Sequence, residues 1–495
     1  MKKYIIALDQ GTTSSRALVI DDKKNIIATA QKEIVQIYPK EGYIEHDPLE
    51  LFDSVIEVMK EAVGNAGIAI KDIAGIGIAN QRETTILFNK ITGEPVYNAI
   101  VWQCKRTIDI CRKLEAEGYL DYIKENTGLV IDPYFSGTKI AWILENVEGV
   151  RQLANEGNLG FSTVDSWLLY KLTDGEMHKT DMTNASRTML YNIRELKWDN
   201  YLCEALNIPM NILPEVVESS GVFGHYDYDG HMLPIVSMVG DQQAALFGQG
   251  CVETGDVKNT YGTGCFLLVN TGEELILSDN GLISTIGISY GGKISYAIEG
   301  SVFMGGALFK WMRDELGLFS SNDEIEGIAR SVESSSGVVV VPAFTGLGAP
   351  YWDMKARGTI FGLTRGISKG HIVRAGIEAV VMQVEDLLAA IRENIDFNFN
   401  SLKVDGGACV NNLLLEMQSR TSGLQIIRPD SIESTALGAY YLAGLELGFW
   451  SGLEELFSTS TKMVVFDEKV DEDVKNELLA NWKKAVAAVR FYASN

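Results

Sequence analysis

Several residue types are scarce in this chain, and each scarcity closes off a class of function. Its 495 residues hold six cysteines, at positions 104, 111, 203, 251, 265 and 409, and no C-x-x-C pair. A zinc ribbon and a thioredoxin-type motif are thereby excluded. Six thiols over this length are too few for a disulfide framework, which points to a reducing, cytoplasmic setting. The five histidines (46, 178, 225, 231 and 371) show no metal-ligand spacing, and H-E-x-x-H is absent. Basic residues are short as well: 43 Lys+Arg stand against 66 Asp+Glu, for a formal charge of −23. Such a surplus repels a phosphate backbone and argues against nucleic acid as a partner. No apolar run approaches the ~18 residues of a membrane span, and the run after Met1-Lys2-Lys3 is too short for a signal-peptide core. A G-x-x-x-x-G-K-[ST] loop is also missing, so the P-loop route to a nucleotide is closed.

What is present reads as globular. The apolar fraction is 46% and the charged fraction 22%, and the length predicts two to four domains, each with its own core. Residues 4–8 and 16–20 are apolar runs around a polar turn, which predicts a β-hairpin with a hydroxyl-rich tip. Residues 49–63 carry helical spacing behind Asp47-Pro48. Residues 73–79 form a short apolar strand that runs into Asn80-Gln81-Arg82-Glu83-Thr84, and residues 85–89 read as the next strand. A second half opens near residue 250 with another strand, a Gly/Thr turn and a strand. Further on come a buried-type strand at 337–342, a long helix from about 368 to 394, and a strand that ends on Asp405-Gly406-Gly407. The helical pattern at 474–492 is amphipathic and is assigned to packing. Alternating strands and helices predict an α/β protein. The expected division is 1–249 and 250–495, a duplicated architecture with a cleft between the halves, although no sequence repeat is visible.

Three turns could hold phosphate oxygens, because backbone N–H groups and hydroxyls in a tight turn form an anion-binding concavity. They are Asp9-Gln10-Gly11-Thr12-Thr13-Ser14-Ser15-Arg16, Tyr261-Gly262-Thr263-Gly264-Cys265 and Asp405-Gly406-Gly407-Ala408. Taken singly, each is an ordinary turn. In this order they resemble the hexokinase–actin–heat-shock-chaperone superfamily, which implies two ribonuclease H-like domains closing on ATP. Longer strings narrow the resemblance. Asn80-Gln81-Arg82-Glu83-Thr84-Thr85, Ala99-Ile100-Val101-Trp102-Gln103 and the run from Asp181 to Leu190 are similar to the FGGY carbohydrate kinases. So are Gly240-Asp241-Gln242-Gln243 and the run from Pro342 to Trp352, and the resemblance extends over nearly the whole chain.

The resemblance implies an enzyme that transfers a phosphoryl group from ATP to glycerol, giving ADP, with Mg²⁺ on the phosphates. A site for a small uncharged polyol needs polar groups converging on its hydroxyls and an apolar wall for its C–H edge. Arg82, Glu83, Tyr134, Asp241 and Gln242 supply the first, Trp102 and Phe266 the second. Asp241 is the expected general base, with Asp9 and Asp241 near the metal's water shell. Thr12, Thr13, Ser14, Arg16, Thr263 and Gly264 are expected on the polyphosphate, and Gly306, Lys310, Gly407 and Asn411 on the adenosine side. A homodimer or homotetramer is the family expectation.

Each residue also has an ordinary reading. Asp241 could be a helix N-cap, Arg82–Glu83 a solvated turn pair, and Trp102 and Phe266 core residues. The chain departs from the family pattern in three places. Cys104-Lys105 stands where an acid is usual, and Lys310 where a neutral amide is usual. The stretch 224–233 lacks the arginine with which some relatives bind fructose 1,6-bisphosphate. The rival readings are a kinase of the same family acting on a pentulose or gluconate, and a nucleotide-dependent binding protein without a polyol pocket.

Overall fold

The computed structural model describes residues 3–458 and 462–494. Residues 1, 2 and 495, at the ends of the two expected domains, and residues 459–461 lie outside the described residues.

The first half is organised by a six-stranded mixed sheet. Strands β1 (Tyr4–Gln10), β2 (Ser14–Asp21) and β3 (Ile26–Glu33) form an antiparallel meander. Helix α1 (Pro48–Ala66) then returns the chain to β4 (Ile73–Asn80), which lies parallel to β1. Asp47 caps α1 by accepting the N–H of Leu49, Pro48 opens it, and Gly67 closes it in a left-handed conformation, so the expected 49–63 helix is recovered with longer ends. All eight residues of β4 are buried, as a central strand covered on both faces requires. After a long excursion, β5 (Ser220–Tyr228) and β6 (His231–Gly240) form a hairpin, with β6 parallel to β4. The order is β5-β6-β4-β1-β2-β3, and β6 leads straight into α2 (Asp241–Gly248).

The second half repeats this path. β7 (Val257–Tyr261), β8 (Cys265–Gly272), β9 (Ile283–Tyr290) and β10 (Lys293–Val302) are joined antiparallel. Helices α3 (Gly306–Asp314) and α4 (Lys369–Asn394) lead to β11 (Ser401–Asp405), which is parallel to β7. α5 (Asn412–Ser422) leads to β12 (Gln425–Pro429), parallel to β11. α6 (Ser434–Glu446), β13 (Met463–Phe466) and α7 (Glu472–Ser494) complete the chain, and the sheet order is β9-β10-β8-β7-β11-β12-β13. With β5 and β9 left out, both sheets share the order third–second–first–fourth–fifth, as β3-β2-β1-β4-β6 and β10-β8-β7-β11-β12. The duplication absent from the residues is present in the topology. Among the described residues the apolar stretch 337–342 joins neither large sheet: it forms strand Val339–Val341, paired with Thr359–Phe361. α7 packs as expected, burying Trp482, Ala485, Val486 and Val489.

The halves interlock. α6 lies on β1, β4 and β6 of the first sheet, where Ala436, Ala439 and Tyr440 pack with Ile5, Ala7 and Val239. It crosses α2 at backbone contact: a Cβ on Gly248 would sit 2.0 Å from the Ser434 carbonyl oxygen, and one on Gly438 1.9 Å from that of Ala244. Only glycine permits that crossing, and it places the N-terminus of α2 at the junction of the two sheets.

Candidate active site

At that junction lies a cavity of about 130 Å³, lined by Thr12, Thr13, Arg82, Glu83, Trp102, Tyr134, Asp241, Gln242, Thr260, Gly262, Thr263 and Phe266. The seven residues expected around the polyol therefore share one chamber, together with the tips of the β1–β2 and β7–β8 hairpins. The third expected turn is adjacent. Gly406 has φ +89° and lies so close to Tyr261 that a Cβ would approach its carbonyl oxygen to 2.6 Å.

Arg82 and Glu83 sit on the turn after β4, where Glu83 holds a left-handed backbone at φ +60°. A non-glycine residue there is strained, and the Glu83 carbonyl is held by the hydroxyls of Ser136 at 3.0 Å and Thr85 at 3.1 Å. The turn drives both side chains inward, so the solvated-pair reading fails: Arg82 is 2% exposed and Glu83 1%. Their charges are balanced by two residues not expected at the site. Glu299 of β10 accepts from both terminal nitrogens of Arg82, at 2.6 and 3.0 Å. Arg187 donates to Glu83 at 2.6 Å and to Glu299 at 3.1 Å. Burial alone would raise the Glu299 carboxyl, but Arg187 and Arg82 hold it down at about 2.

Asp241 is the open end of this ionic chain. Its side chain is 27% exposed against 1% for Arg82, whose Nε lies 3.1 Å from Asp241 Oδ1. The N-cap of α2 is Gly240, so Asp241 stands in the first helical turn and the capping reading is set aside. There the helix dipole favours a carboxylate, and the Gln242 N–H donates to it at 2.7 Å. Burial nonetheless raises its pKa above the usual carboxylate value, against Arg82 and Lys258. A carboxylate so placed is a better proton acceptor than a solvated one while remaining anchored.

One side of the cavity is aromatic. Trp102 stands edge-on to Tyr134 and Phe266, with ring centroids 5.5 and 6.0 Å apart. Trp102 and Phe266 line the cavity and belong to the core as well, so their ordinary reading stands. The Trp102 indole donates to Thr12 Oγ1 at 2.8 Å and ties the wall to the first turn. In the second turn a Cβ on Gly264 would meet the Val302 carbonyl oxygen at 2.2 Å, so only glycine lets this hairpin lie on β10.

The remaining expected residues lie outside the cavity lining. Ser14 begins β2 and its hydroxyl accepts from Gln31. The Arg16 guanidinium pairs with Glu433, just before α6, and donates to Gln31. Gly306 opens α3 and donates its N–H to the Gly262 carbonyl at 2.8 Å. Lys310 is exposed one turn further on, as is Gly407, while the Asn411 side chain caps α5 by accepting from Leu414.

Asp9 lies on β1 among like charges. Burial raises its carboxyl to about 7, against Arg16, with Asp241, Glu433 and Asp405 adding to the rise. Asp405 Oδ1 is buried without a hydrogen-bond partner. Uncompensated negative charge and an orphaned carboxylate oxygen fit a divalent cation. Among the described residues no three acid, histidine or cysteine side chains form a metal cage, so such an ion would complete its shell with phosphate oxygens and water.

The pattern of the FGGY family of carbohydrate kinases matches residues 4–248 with its N-terminal domain and residues 257–447 with its C-terminal domain. The chain belongs to the FGGY family of carbohydrate kinases. It is thus a phosphotransferase with the two-domain α/β fold of that family. It is 57% identical to glycerol kinase of Fusobacterium nucleatum, over 98% of each chain, and 53% identical to that of Alkaliphilus metalliredigens, also over 98% of each. A crystal structure of Plasmodium falciparum glycerol kinase with ADP superposes with a TM-score of 0.88 at 34% identity, covering 98% of both chains. Xylulose kinase from Lactobacillus acidophilus superposes at 0.85 with 22% identity, over 99% of this chain and 98% of that one, which shows the shared fold.

Reading this family member from its sequence missed Arg187, Glu299, Lys258 and Thr260. Lys258 is the one charged residue of β7, and Glu299 interrupts the run Ala297-Ile298 near the end of β10; those placements were the available signal. Arg187 lies within the similar run from Asp181 to Leu190.

Proposed function

We propose that the protein is a glycerol kinase, transferring the γ-phosphoryl group of ATP to a terminal hydroxyl of glycerol to give sn-glycerol 3-phosphate and ADP. The observation that carries this reading is the composition of the cavity. A small chamber with one open carboxylate, a buried guanidinium, an amide and an aromatic wall meets two hydroxyl-rich turns, in a chain 53–57% identical to proteins named glycerol kinase.

Arg82, Glu83, Gln242 and Tyr134 would bind and orient the glycerol hydroxyls, while Trp102 and Phe266 cover its carbon edge and exclude water. An analogue that lacks a hydroxyl would leave these buried groups unpaired, which is the basis of discrimination. Thr12, Thr13 and Ser14 in the first turn, with Thr263 and Gly264 in the second, would hold the polyphosphate. Gly306, Lys310, Gly407 and Asn411 would flank the adenosine. Arg16 would reach phosphate from its pair with Glu433. As the glycerol oxygen bonds to the γ-phosphorus and the bond to the ADP oxygen breaks, the hydroxyl proton passes to the Asp241 carboxylate. Mg²⁺, held by Asp9 and Asp241 through water, would supply charge neutralisation at the phosphates.

The test is ADP release in a coupled assay with glycerol, xylulose, gluconate or no acceptor. Release that depends on glycerol and exceeds the other three supports the reading. Release indifferent to glycerol overturns it.

A further inference from the structure

Lys258 is an unusual residue for its place. It lies in β7 at 0% exposure, and lysine is almost never fully buried unless paired. Its two hydrogen bonds go to neutral groups: Nζ donates to Gln242 Oε1 at 2.6 Å and to Thr260 Oγ1 at 2.8 Å. Lys258 therefore reaches from the second sheet to a side chain on α2 of the first half.

The bond to Gln242 carries chemical information. A lysine ammonium has three donors and no acceptor, so the amide group opposite it must present oxygen. The amide is planar, so its nitrogen lies on the side away from Lys258, and Gln242 lines the cavity. At this position the cavity offers N–H donors and withholds the carbonyl.

We propose that Lys258 is a positioning residue that sets the polarity of the acceptor pocket: by holding Gln242 Oε1 it commits the Gln242 amide to donate to the substrate. The inference rests on the reading of the cavity as a polyol site. A hydroxyl that meets Gln242 must accept there, so its own proton points to another group. The cavity offers two carboxylate acceptors, Glu83 and Asp241, and Asp241 is the one next to Gln242 along the chain. Lys258 would thus act on proton direction without touching substrate. Because Lys258 and Gln242 come from different halves, the amide is oriented only when the halves are together.

The test is a double-mutant cycle in steady-state kinetics, on folded protein checked by thermal unfolding. Wild type, Lys258→Met, Gln242→Leu, the double variant and Gln242→Glu are compared for kcat and for the KM of glycerol and of ATP. Freeing the amide in Lys258→Met should raise glycerol KM about tenfold, equivalent to about 1.4 kcal/mol, while ATP KM stays within about twofold. Adding Lys258→Met to Gln242→Leu should then change glycerol KM by less than about twofold, because no amide remains to be positioned. Gln242→Glu keeps a partner for Lys258, and so protects folding, but removes the donor and should raise glycerol KM about tenfold or more. A wild-type glycerol KM in Lys258→Met, additive effects in the cycle, or a wild-type KM in Gln242→Glu each overturns the proposal. If Lys258→Met does not fold, Gln242→Glu decides alone. Wild-type protein is first assayed over several polyols, and the best acceptor is used in the cycle, so a wrong substrate shows in the wild type and a wrong role for Lys258 in the cycle. A wild type inactive on every polyol overturns both.

Discussion

Replacing Glu299 by glutamine tests the buried ionic chain at its centre. Glu299 accepts from Arg82 twice, from Arg187 at 3.1 Å and from the Ser301 hydroxyl at 2.8 Å, and it is 0% exposed. Glutamine keeps the shape but removes the one charge that meets both arginines, leaving Arg82 and Arg187 to share Glu83 and the more exposed Asp241. Breaking such a pair from one side costs about 3–5 kcal/mol. The depression of the Glu299 pKa from 4.5 to about 2 gives the same order, about 3 kcal/mol at ~1.36 kcal/mol per unit. Its sign fixes the pH window. A carboxylate whose folded pKa is depressed stabilises fully above about 4.5, and that contribution is lost as pH falls toward 2. At pH 7, scanning calorimetry should therefore show Glu299→Gln melting about 6–20 °C below wild type, taking about 2–4 °C per kcal/mol. The gap should narrow only below pH 4.5. A variant that melts within about 2 °C of wild type at pH 7 would refute the reasoning.

Three further outcomes are expected. Trp102→Phe keeps the wall but loses the 2.8 Å bond to Thr12, so ATP KM should rise about 2- to 10-fold with a smaller change for glycerol, in steady-state assays; the reverse pattern counts against the link. Asp165 is pushed up to about 7 by burial and by Asp181. The folded state then binds its proton more tightly than the unfolded chain, so wild-type stability should fall as pH rises from about 4 to 7, and Asp165→Asn should flatten that slope in melting curves; parallel curves would contradict this. The β5–β6 hairpin contains no Lys or Arg, so fructose 1,6-bisphosphate should leave steady-state turnover unchanged. Micromolar inhibition would show an anion site elsewhere.

Local pattern made much of the fold legible. Apolar runs broken by Gly/Thr turns marked β1–β2 and β7–β8, and Asp47-Pro48 and Ser368 marked the starts of α1 and α4. The cavity residues were legible because they lie in strings similar to one family. What stayed hidden depends on distance in sequence. Arg82 and Glu299 are 217 positions apart, and Arg16 and Glu433 are 417, so no local pattern announces either pair. An adjacent Arg-Glu reads as solvated because nothing local shows that a second sheet covers it. Likewise α6 has the composition of any buried helix, and its packing against the first sheet follows only from the glycine crossing with α2.

The central claim is that Asp241 takes the proton from the acceptor hydroxyl, and Asp241→Asn tests it most directly. Asparagine keeps the size and an oxygen toward Arg82 but is not a base at neutral pH. Glycerol binding, measured by calorimetry, should persist, while turnover measured by ADP release should fall about 10²- to 10⁴-fold, the range of general-base catalysis. Near-normal turnover with intact binding would contradict the account and assign the proton to another group.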